Sequence, residues 1–308
     1  MNFIKNYFQL DKYKTSIKVE LTAGLITFIS MSYILFVNPS VLGASGMNTG
    51  AVFTATALAA ALGTAIMGIV ANYPIGEAPA LGINAFFSYT VCIGMHVKWQ
   101  TALASVFVAS ILFILITLFK LREKIIDSIP ADLKFAISSG IGLFIAFLGL
   151  QNGKLIVANK STLVGLGSLH DPLVWITIFG LLVTVILMIL NVPGAIFIGM
   201  VLAAVFGICT GQIALPHKII STAPALIIVG VLMAQNTAHI HWNKLEIAVP
   251  AFLIILGMPL TYSISDGLSW GMITYPICMI AAKRGKEVTP MMSLLFVIFL
   301  IFLWVLNF

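Results

Sequence analysis

The sequence predicts an all-α polytopic membrane protein with about eleven transmembrane helices. Hydrophobic residues make up 60% of the 308 positions and charged residues only 8%, whereas soluble globular domains carry roughly a quarter charged residues. Apolar runs of the length that a helix needs to cross a bilayer, about 20 residues, recur along the chain. Soluble domains, secreted disulfide scaffolds, disordered tails and nucleic-acid-binding proteins are therefore excluded.

The first 19 residues precede the first apolar run and carry four lysines. They lack the uninterrupted apolar core and the cleavage site of a secretory signal, so we expect an amphipathic cytoplasmic approach to the membrane. Basic residues favour the cytoplasmic side, and residues 120–124, which are also basic, follow four spans later and fall on the same side. Lys154 and Lys160 lie in a loop that this scheme places outside, and they argue against it.

Eleven apolar runs follow the N-terminal segment. They lie at 20–38, 51–71, 80–95, 99–119, 134–150, 173–190, 194–210, 223–238, 247–262, 267–282 and 290–306. Asp171 and Thr289 each precede a proline at the start of a run, which is typical of a helix N-terminus. Ser138, Gly142 and Ala146 recur every four residues, and small residues at this spacing predict close packing against another helix.

The third run is abnormal, because Pro74, Gly76, Pro79 and Gly82 crowd its beginning. A helix through Pro79 would lose a hydrogen bond and clash with the preceding turn, so we expect an extended segment and a helix start near Asn84. Irregular backbone at membrane depth is tolerated only where protein or a wet cavity satisfies it, and in transporters such spans bind the substrate. A kinked structural helix behind a proline-rich entry loop is the alternative.

This break is the candidate substrate site. The N–H groups near Gly82, Ile83 and Asn84, at the start of a half-helix, can hydrogen-bond a polar planar ligand. Phe86 and Phe87 follow closely enough to offer ring contacts to such a ligand.

Other polar residues near the apolar runs are weaker candidates. Glu77 is the acidic residue close to the break, and it is either a proton carrier or a headgroup-level loop residue. Four residues could line a substrate path or equally could bond to backbone carbonyls. These residues are Thr27, Ser30, Tyr33 and Thr261.

Catalytic and metal-binding signatures are missing from the sequence. His239 and His241 have no third ligand at metal spacing, and Asp266 is better explained as a helix cap than as an ion ligand. There is no phosphate-binding loop, zinc-protease motif or nucleophile elbow, so the sequence predicts neither an enzyme nor a cofactor. Energy for transport must then come from an ion gradient.

Four segments of the sequence carry a family resemblance. They are residues 22–39 (TAGLITFISMSYILFVNP), 78–86 (APALGINAF), 140–152 (GIGLFIAFLGLQN), and 250–253 with 259–264 (PAFL and PLTYSI). They closely resemble the bacterial hypoxanthine/guanine (azaguanine-type) permeases of the nucleobase:cation symporter-2 family. The resemblance implies a multi-pass protein of the bacterial inner membrane with a cytoplasmic N-terminus, which imports a purine nucleobase together with a proton. Assembly as a homo-oligomer is left open.

The resemblance also implies an architecture of fourteen spans in two inverted repeats of seven, in which the third and tenth spans are broken and meet within the membrane. By this likeness the substrate-binding segment consists of Ala80, Leu81, Gly82, Ile83 and Asn84. Ala80 stands where the family commonly has glycine.

Three spans of that architecture, the eighth to the tenth, have no counterpart in this sequence. The implied organisation is a first repeat of seven spans at 20–211, a junction loop at 212–222 and a truncated second repeat of four spans at 223–308. Loss of an odd number of spans would invert the membrane orientation of residues 223–308. The extended segment of the third span would lose the tenth-span segment that it meets, so its backbone should hydrate, refold as helix or pair with another copy of the chain. Impaired purine symport is thus expected, and the alternative is a non-transporting membrane protein or a partner of an intact permease.

Overall fold

The computed structural model describes residues 2–119, 121–211 and 222–306. Within these ranges, each of the eleven apolar runs forms a helix or two consecutive helices, and the only strands are a short hairpin. The predicted junction at 212–222 falls, apart from Thr222, outside the described residues, and so does Lys120. By its internal contacts the chain divides into two compact units.

The first unit contains Met1–Asn84 and Gly149–Ile228. Its elements are α1 (Asn2–Tyr7), α2 (Ile17–Met31), α3 (Ile34–Gly43), α4 (Thr49–Ile69), most of α5 (Leu81–Ala85), β1 (Ile156–Asn159), β2 (Leu163–Leu166), α9 (Pro172–Ile189) and α10 (Ala195–Cys209). The second unit contains Ala85–Leu148 and Val229–Phe308. Its elements are a π-helix (Phe86–Gly94), α6 (Trp99–Leu118), α7 (Leu121–Ser128), α12 (Leu245–Thr261), α13 (Ile264–Ala281), α14 (Pro290–Leu306) and two short 3-10 helices (Gln235–His239 and Gly285–Glu287). Helices α8 (Ala131–Asn152) and α11 (Ala223–Ala234) are divided between the units.

Five helical segments of the described chain are long and apolar enough to cross a membrane. They are Ile17–Gly43, Thr49–Ile69, Trp99–Leu118, Ala131–Asn152 and Pro172–Ile189. Shorter apolar helices cover most of the remaining runs. The first run differs from its prediction as one helix, because the chain turns at Ser32 and Tyr33 between α2 and α3. The Ser32 hydroxyl donates to the Ile29 carbonyl at 2.8 Å, so it bonds a carbonyl of the last turn of α2.

Two of the three predicted helix caps are present, those at Asp171 and Thr289. An Asp171 carboxylate oxygen accepts from the Leu173 N–H at 3.0 Å, and the Thr289 hydroxyl accepts from the Met292 N–H at 3.1 Å. At the start of α13 the cap is Ser263 rather than Asp266, because the Ser263 hydroxyl accepts from the Asp266 N–H at 3.2 Å. Asp266 lies in the first turn, where a carboxylate favours the positive end of the helix dipole.

A β-hairpin occupies the loop between α8 and α9, where no strand was predicted. Strands β1 and β2 pair antiparallel with Ile156 opposite Leu166, and the Asn159 side chain accepts from the Ser161 N–H at 2.8 Å within the turn. At the base of the hairpin, Lys154 forms an ion pair with Asp171 at 2.7 Å. This pairing lowers the pKa of the Asp171 carboxyl group.

Candidate functional site

The third apolar run is broken, as its prolines predict. Residues 72–80, called the break below, have no regular secondary structure. The helix resumes at Leu81 rather than near Asn84, because Pro79 lies before the first helical turn, where its missing N–H and its ring do not oppose a helix. The Asn84 N–H donates to the Ala80 carbonyl at 3.2 Å, so it is already engaged. Gly82 and Ile83 lie in the first turn, whose N–H groups have no partner within the helix.

Helix α4 supports the backbone of the break. The Glu77 N–H donates to the Thr64 hydroxyl oxygen at 2.9 Å, and the Tyr73 N–H donates to the Met67 carbonyl at 3.0 Å. Gly63 lets the chain approach closely, since a β-carbon there would lie 3.1 Å from the Glu77 β-carbon. Part of the polar backbone of the break is thus satisfied within the first unit, and this segment has not refolded as helix.

A chain of side-chain hydrogen bonds links the end of the break to α3 and α4. The Asn84 Nδ2 donates to the Asn38 Oδ1 at 2.6 Å, and the Asn38 Nδ2 donates to the Thr56 Oγ1 at 2.8 Å. Asn38 and Thr56 are only 2% and 3% exposed. We call these three residues the amide relay. Buried polar side chains at membrane depth are costly unless paired, so the relay fixes Asn84 to a rigid part of the unit.

Two cavities flank the break, and both lie within the first unit. The first, of about 480 Å³, lies between α2, α4 and residues 73–76, and Thr27 and Thr64 are among its few polar lining residues. The second, of about 430 Å³, is lined by Glu77, Pro79 and small residues of α4. Both volumes fall in the range of about 300–1,000 Å³ that is usual for small-molecule sites.

The other predicted substrate residues have different environments. Leu81 and Gly82 are buried, whereas Ala80 is exposed and the Ile83 side chain is 65% exposed. Phe86 and Phe87 belong to the second unit, in which Phe87 is buried and Phe86 is half-buried.

Two of the four predicted path-lining residues bond to backbone carbonyls. The Thr27 hydroxyl donates to the Ala23 carbonyl at 3.0 Å, and the Thr261 hydroxyl donates to the Gly257 carbonyl at 2.7 Å. Ser30 is exposed, and Tyr33 is half-buried at the turn between α2 and α3. Of the four, Thr27 also lines a cavity.

In the second unit, Tyr262 is the centre of an aromatic cluster that the sequence analysis did not identify. Its ring lies 5.5 Å from the Tyr89 and Phe144 rings and 6.1 Å from the Phe147 ring, measured between centroids. Its carbonyl accepts from the Thr90 hydroxyl at 3.0 Å, and its backbone is left-handed with φ 58°. The cluster fixes the C-terminal end of α12 to the π-helix.

Charged side chains of the second unit form ion pairs near helix ends. Arg284 contacts Glu246 at 2.6 Å and Glu287 at 2.7 Å, which raises the pKa of the guanidinium and lowers that of Glu287. His241 contacts Asp132 at 2.8 Å. Across the described residues, no three His, Cys, Asp or Glu side chains gather in a way that could hold a metal ion.

These features define a class: a multi-pass α-helical membrane protein with polar side chains gathered at a broken span. The sequence family described as "Permease family", that of the xanthine/uracil permeases, matches residues 18–219, and the chain belongs to it.

Curated relatives extend the match over nearly the whole chain. The guanine/hypoxanthine permeases PbuG and PbuO of Bacillus subtilis are 36% and 32% identical, over 97% of this chain and 99% and 100% of their own lengths. The adenine permease AdeP of Escherichia coli is 27% identical over 97% of this chain and 96% of its own length. The predicted resemblance is therefore confirmed, and the chain is not an enzyme.

The chain is a shortened member of this family. The alignment with PbuG extends over 435 positions, which is 127 more than the 308 residues of the chain. The same alignment covers 97% of this chain and 99% of PbuG. The missing positions are therefore internal to the alignment.

Proposed function

We propose that this chain binds purine nucleobases, with hypoxanthine and guanine as the first candidates, at the break and carries them through the bacterial inner membrane by proton symport. The relatives named as guanine/hypoxanthine permeases support the substrate class. The observation that carries the proposal is the broken third span with its amide relay, because Asn84 is fixed after irregular backbone that is itself flanked by two small-molecule-sized cavities.

The substrate contacts that we propose are made by the first turn after the break and the rings that follow it. Asn84 supplies an amide, Gly82 and Ile83 supply first-turn N–H groups, and Phe86 and Phe87 supply flat apolar surfaces. Ala80 and Leu81 complete the segment. Glu77, at the second cavity, is the proposed proton-coupling group.

We infer that transport by this chain is impaired. Relative to PbuG, the chain lacks at least 127 alignment positions, which is enough for several spans of about 20 residues. We propose that the eighth to tenth spans are the missing ones, so that the break lacks a facing segment. A site with one wall missing loses hydrogen bonds to the base and loses the exclusion of water that transport requires.

Radiolabelled hypoxanthine uptake in a bacterial strain without its own purine permeases tests this proposal. We expect uptake above that of cells with empty vector and at least about tenfold below that of cells with PbuG, since the loss of even one good hydrogen bond changes affinity by about that factor. Protein amount in the membrane must be matched by immunoblot. Uptake at the PbuG rate would refute impairment, and absence of both uptake and binding would refute the transport proposal.

The missing positions also favour a second candidate, a non-transporting membrane protein that assembles with an intact permease. Co-expression with tagged PbuG separates the two. Co-purification of the chain with PbuG, without hypoxanthine binding by the chain alone, would favour the second candidate.

A further inference from the structure

The Asn38 amide is held at both ends. Its Nδ2 donates to the Thr56 Oγ1 at 2.8 Å and its Oδ1 accepts from the Asn84 Nδ2 at 2.6 Å. Because the side chain is only 2% exposed, no water replaces either partner easily. The Thr56 hydroxyl can donate as well as accept, so Asn38 can exchange its oxygen and nitrogen only if the Asn84 amide turns with it, and either arrangement keeps both buried hydrogen bonds.

The hydrogen bond to Asn38 determines where the Asn84 amide lies. In the structure the Asn38 oxygen faces Asn84, so Asn84 presents its Nδ2 to Asn38. Among the described residues, the Asn84 Oδ1 accepts no hydrogen bond. Asn84 thus has one acceptor and one remaining N–H available for a ligand.

We propose that Asn38, together with Thr56, is a positioning residue that turns the Asn84 amide toward the lactam edge of a 6-oxopurine, its N1–H and O6. This inference rests on the proposed function. An amide offers an acceptor and a donor side by side, and the lactam edge offers the matching donor and acceptor, so two parallel hydrogen bonds form. An amide without this anchor would rotate, and its donor and acceptor would lie where the lactam edge needs them for only part of the time.

Paired substitutions at Thr56 test the positioning role. Thr56→Val removes the hydroxyl at nearly constant volume, whereas Thr56→Ser keeps it. The matched control is Thr54→Val, two residues away on the same helix, where the exposed hydroxyl donates to the Gly50 carbonyl. Kd is measured for hypoxanthine, 1-methylhypoxanthine and 9-methylhypoxanthine on purified full-length chain.

We expect Thr56→Val to raise the Kd for hypoxanthine about tenfold and to shrink the penalty for methylation at N1, because one oriented hydrogen bond is lost. Thr56→Ser and Thr54→Val should behave as the wild type does. In the Asn84→Ala background, Thr56→Val should have no further effect, since a positioning residue acts only through the group that it orients. Additive effects, or a penalty for methylation at N9 instead of N1, would overturn the proposal.

A measurement without any base separates this inference from the proposed function. In protein labelled with ¹⁵N-asparagine, the side-chain amide signal that disappears in Asn84→Ala reports the Asn84 Nδ2 protons. We expect their exchange with solvent to be slow in the wild type and in Thr56→Ser, and at least about tenfold faster in Thr56→Val and Asn38→Leu.

Unchanged amide exchange in Thr56→Val would overturn the positioning role whatever the base does. A different outcome is that the wild type does not bind hypoxanthine but its Asn84 amide exchanges slowly, and Thr56→Val accelerates that exchange. This outcome would refute the proposed function and leave the anchored amide established. In a third outcome, Asn84→Ala weakens hypoxanthine binding and Thr56→Val speeds the amide exchange, but Thr56→Val leaves the Kd for hypoxanthine unchanged. This outcome would overturn the assignment of the lactam edge.

Discussion

Glu77 is fixed by its backbone, and its carboxylate lies at the edge of a cavity. Its N–H bonds to the Thr64 hydroxyl, and its half-buried side chain lines the second cavity beside Pro79. Among the described residues, no side-chain hydrogen bond or ion pair engages the carboxylate. Removal of its charge therefore breaks no contact of the fold, and acidic side chains at membrane depth are typical proton carriers in transporters.

Glu77→Gln is therefore expected to abolish the pH dependence of base binding. We predict that the Kd of the purified wild type for hypoxanthine differs between about pH 5 and about pH 7.5, because the proposed proton carrier is present, and that the variant shows one Kd at both. The control is Glu123→Gln, which removes an exposed carboxylate of α7. A pH profile that survives in Glu77→Gln would exclude Glu77 as the coupling group.

At the residue scale, the sequence indicated the break but not the relay that supports it. Pro79 disrupts a helix by local chemistry, so its effect is predictable from neighbours in the chain. Asn38 and Asn84 are 46 positions apart, and no periodicity relates them, so their pairing depends on tertiary packing. The one signal was the asparagine before Pro39 in a largely apolar span, where a buried amide requires partners.

At the element scale, the small residues of α8 confirm their predicted role as a packing face. Within the second unit, Gly142 and Ala146 contact Gly230 of α11, and the Ser138 hydroxyl accepts from the Asn236 Nδ2 at 2.8 Å. The backbones approach so closely that a β-carbon at Gly230 would lie 2.5 Å from the Ala146 β-carbon. Interhelical contact in lipid comes from such packing and from hydrogen bonds, because lipid tails supply no hydrophobic driving force between helices.

Gly230→Ala should therefore destabilise the protein, by about 1–3 kcal/mol of unfolding free energy, since the added carbon forces the helices apart. Gly24→Ala is the matched control: no heavy atom lies within 4 Å of the added carbon, and the same substitution gains up to about 1 kcal/mol of helix propensity. Unfolding in a denaturing detergent titration measures both. Equal stability of the two variants would contradict the close packing.

The hairpin at residues 156–166 shows where sequence patterns were insufficient at this scale. Long apolar helices are predictable because the bilayer demands length and hydrophobicity, and all eleven runs are helical within the described residues. A strand of four residues, the length of both β1 and β2, carries a much weaker signal in the sequence. The start of α5 at Leu81 was missed by three residues because proline excludes a helix around itself but does not fix where the next one begins.

At the scale of the whole molecule, the loss of internal spans raises the question of how residues 223–308, called the tail below, cross the membrane. With eleven spans and a cytoplasmic N-terminus, alternation puts the hairpin outside and the loop between α13 and α14 inside. That loop is basic, with Lys283, Arg284 and Lys286, and this composition favours the cytoplasmic side. If three spans are missing, the same loop in a full-length relative would lie on the opposite side. The orientation of the tail thus tests the number of missing spans.

Single cysteines introduced into a variant free of Cys92, Cys209 and Cys278 can measure this topology. Ser161→Cys in the hairpin turn and Lys286→Cys in the basic loop are both at exposed positions. We predict that a membrane-impermeant maleimide labels Ser161→Cys in intact cells and labels Lys286→Cys only after the membrane is opened, because an odd number of spans separates the two positions. Labelling of both in intact cells would mean that an even number of spans separates them. The tail would then keep the orientation that the family architecture implies, and the proposed loss of exactly three spans would be wrong.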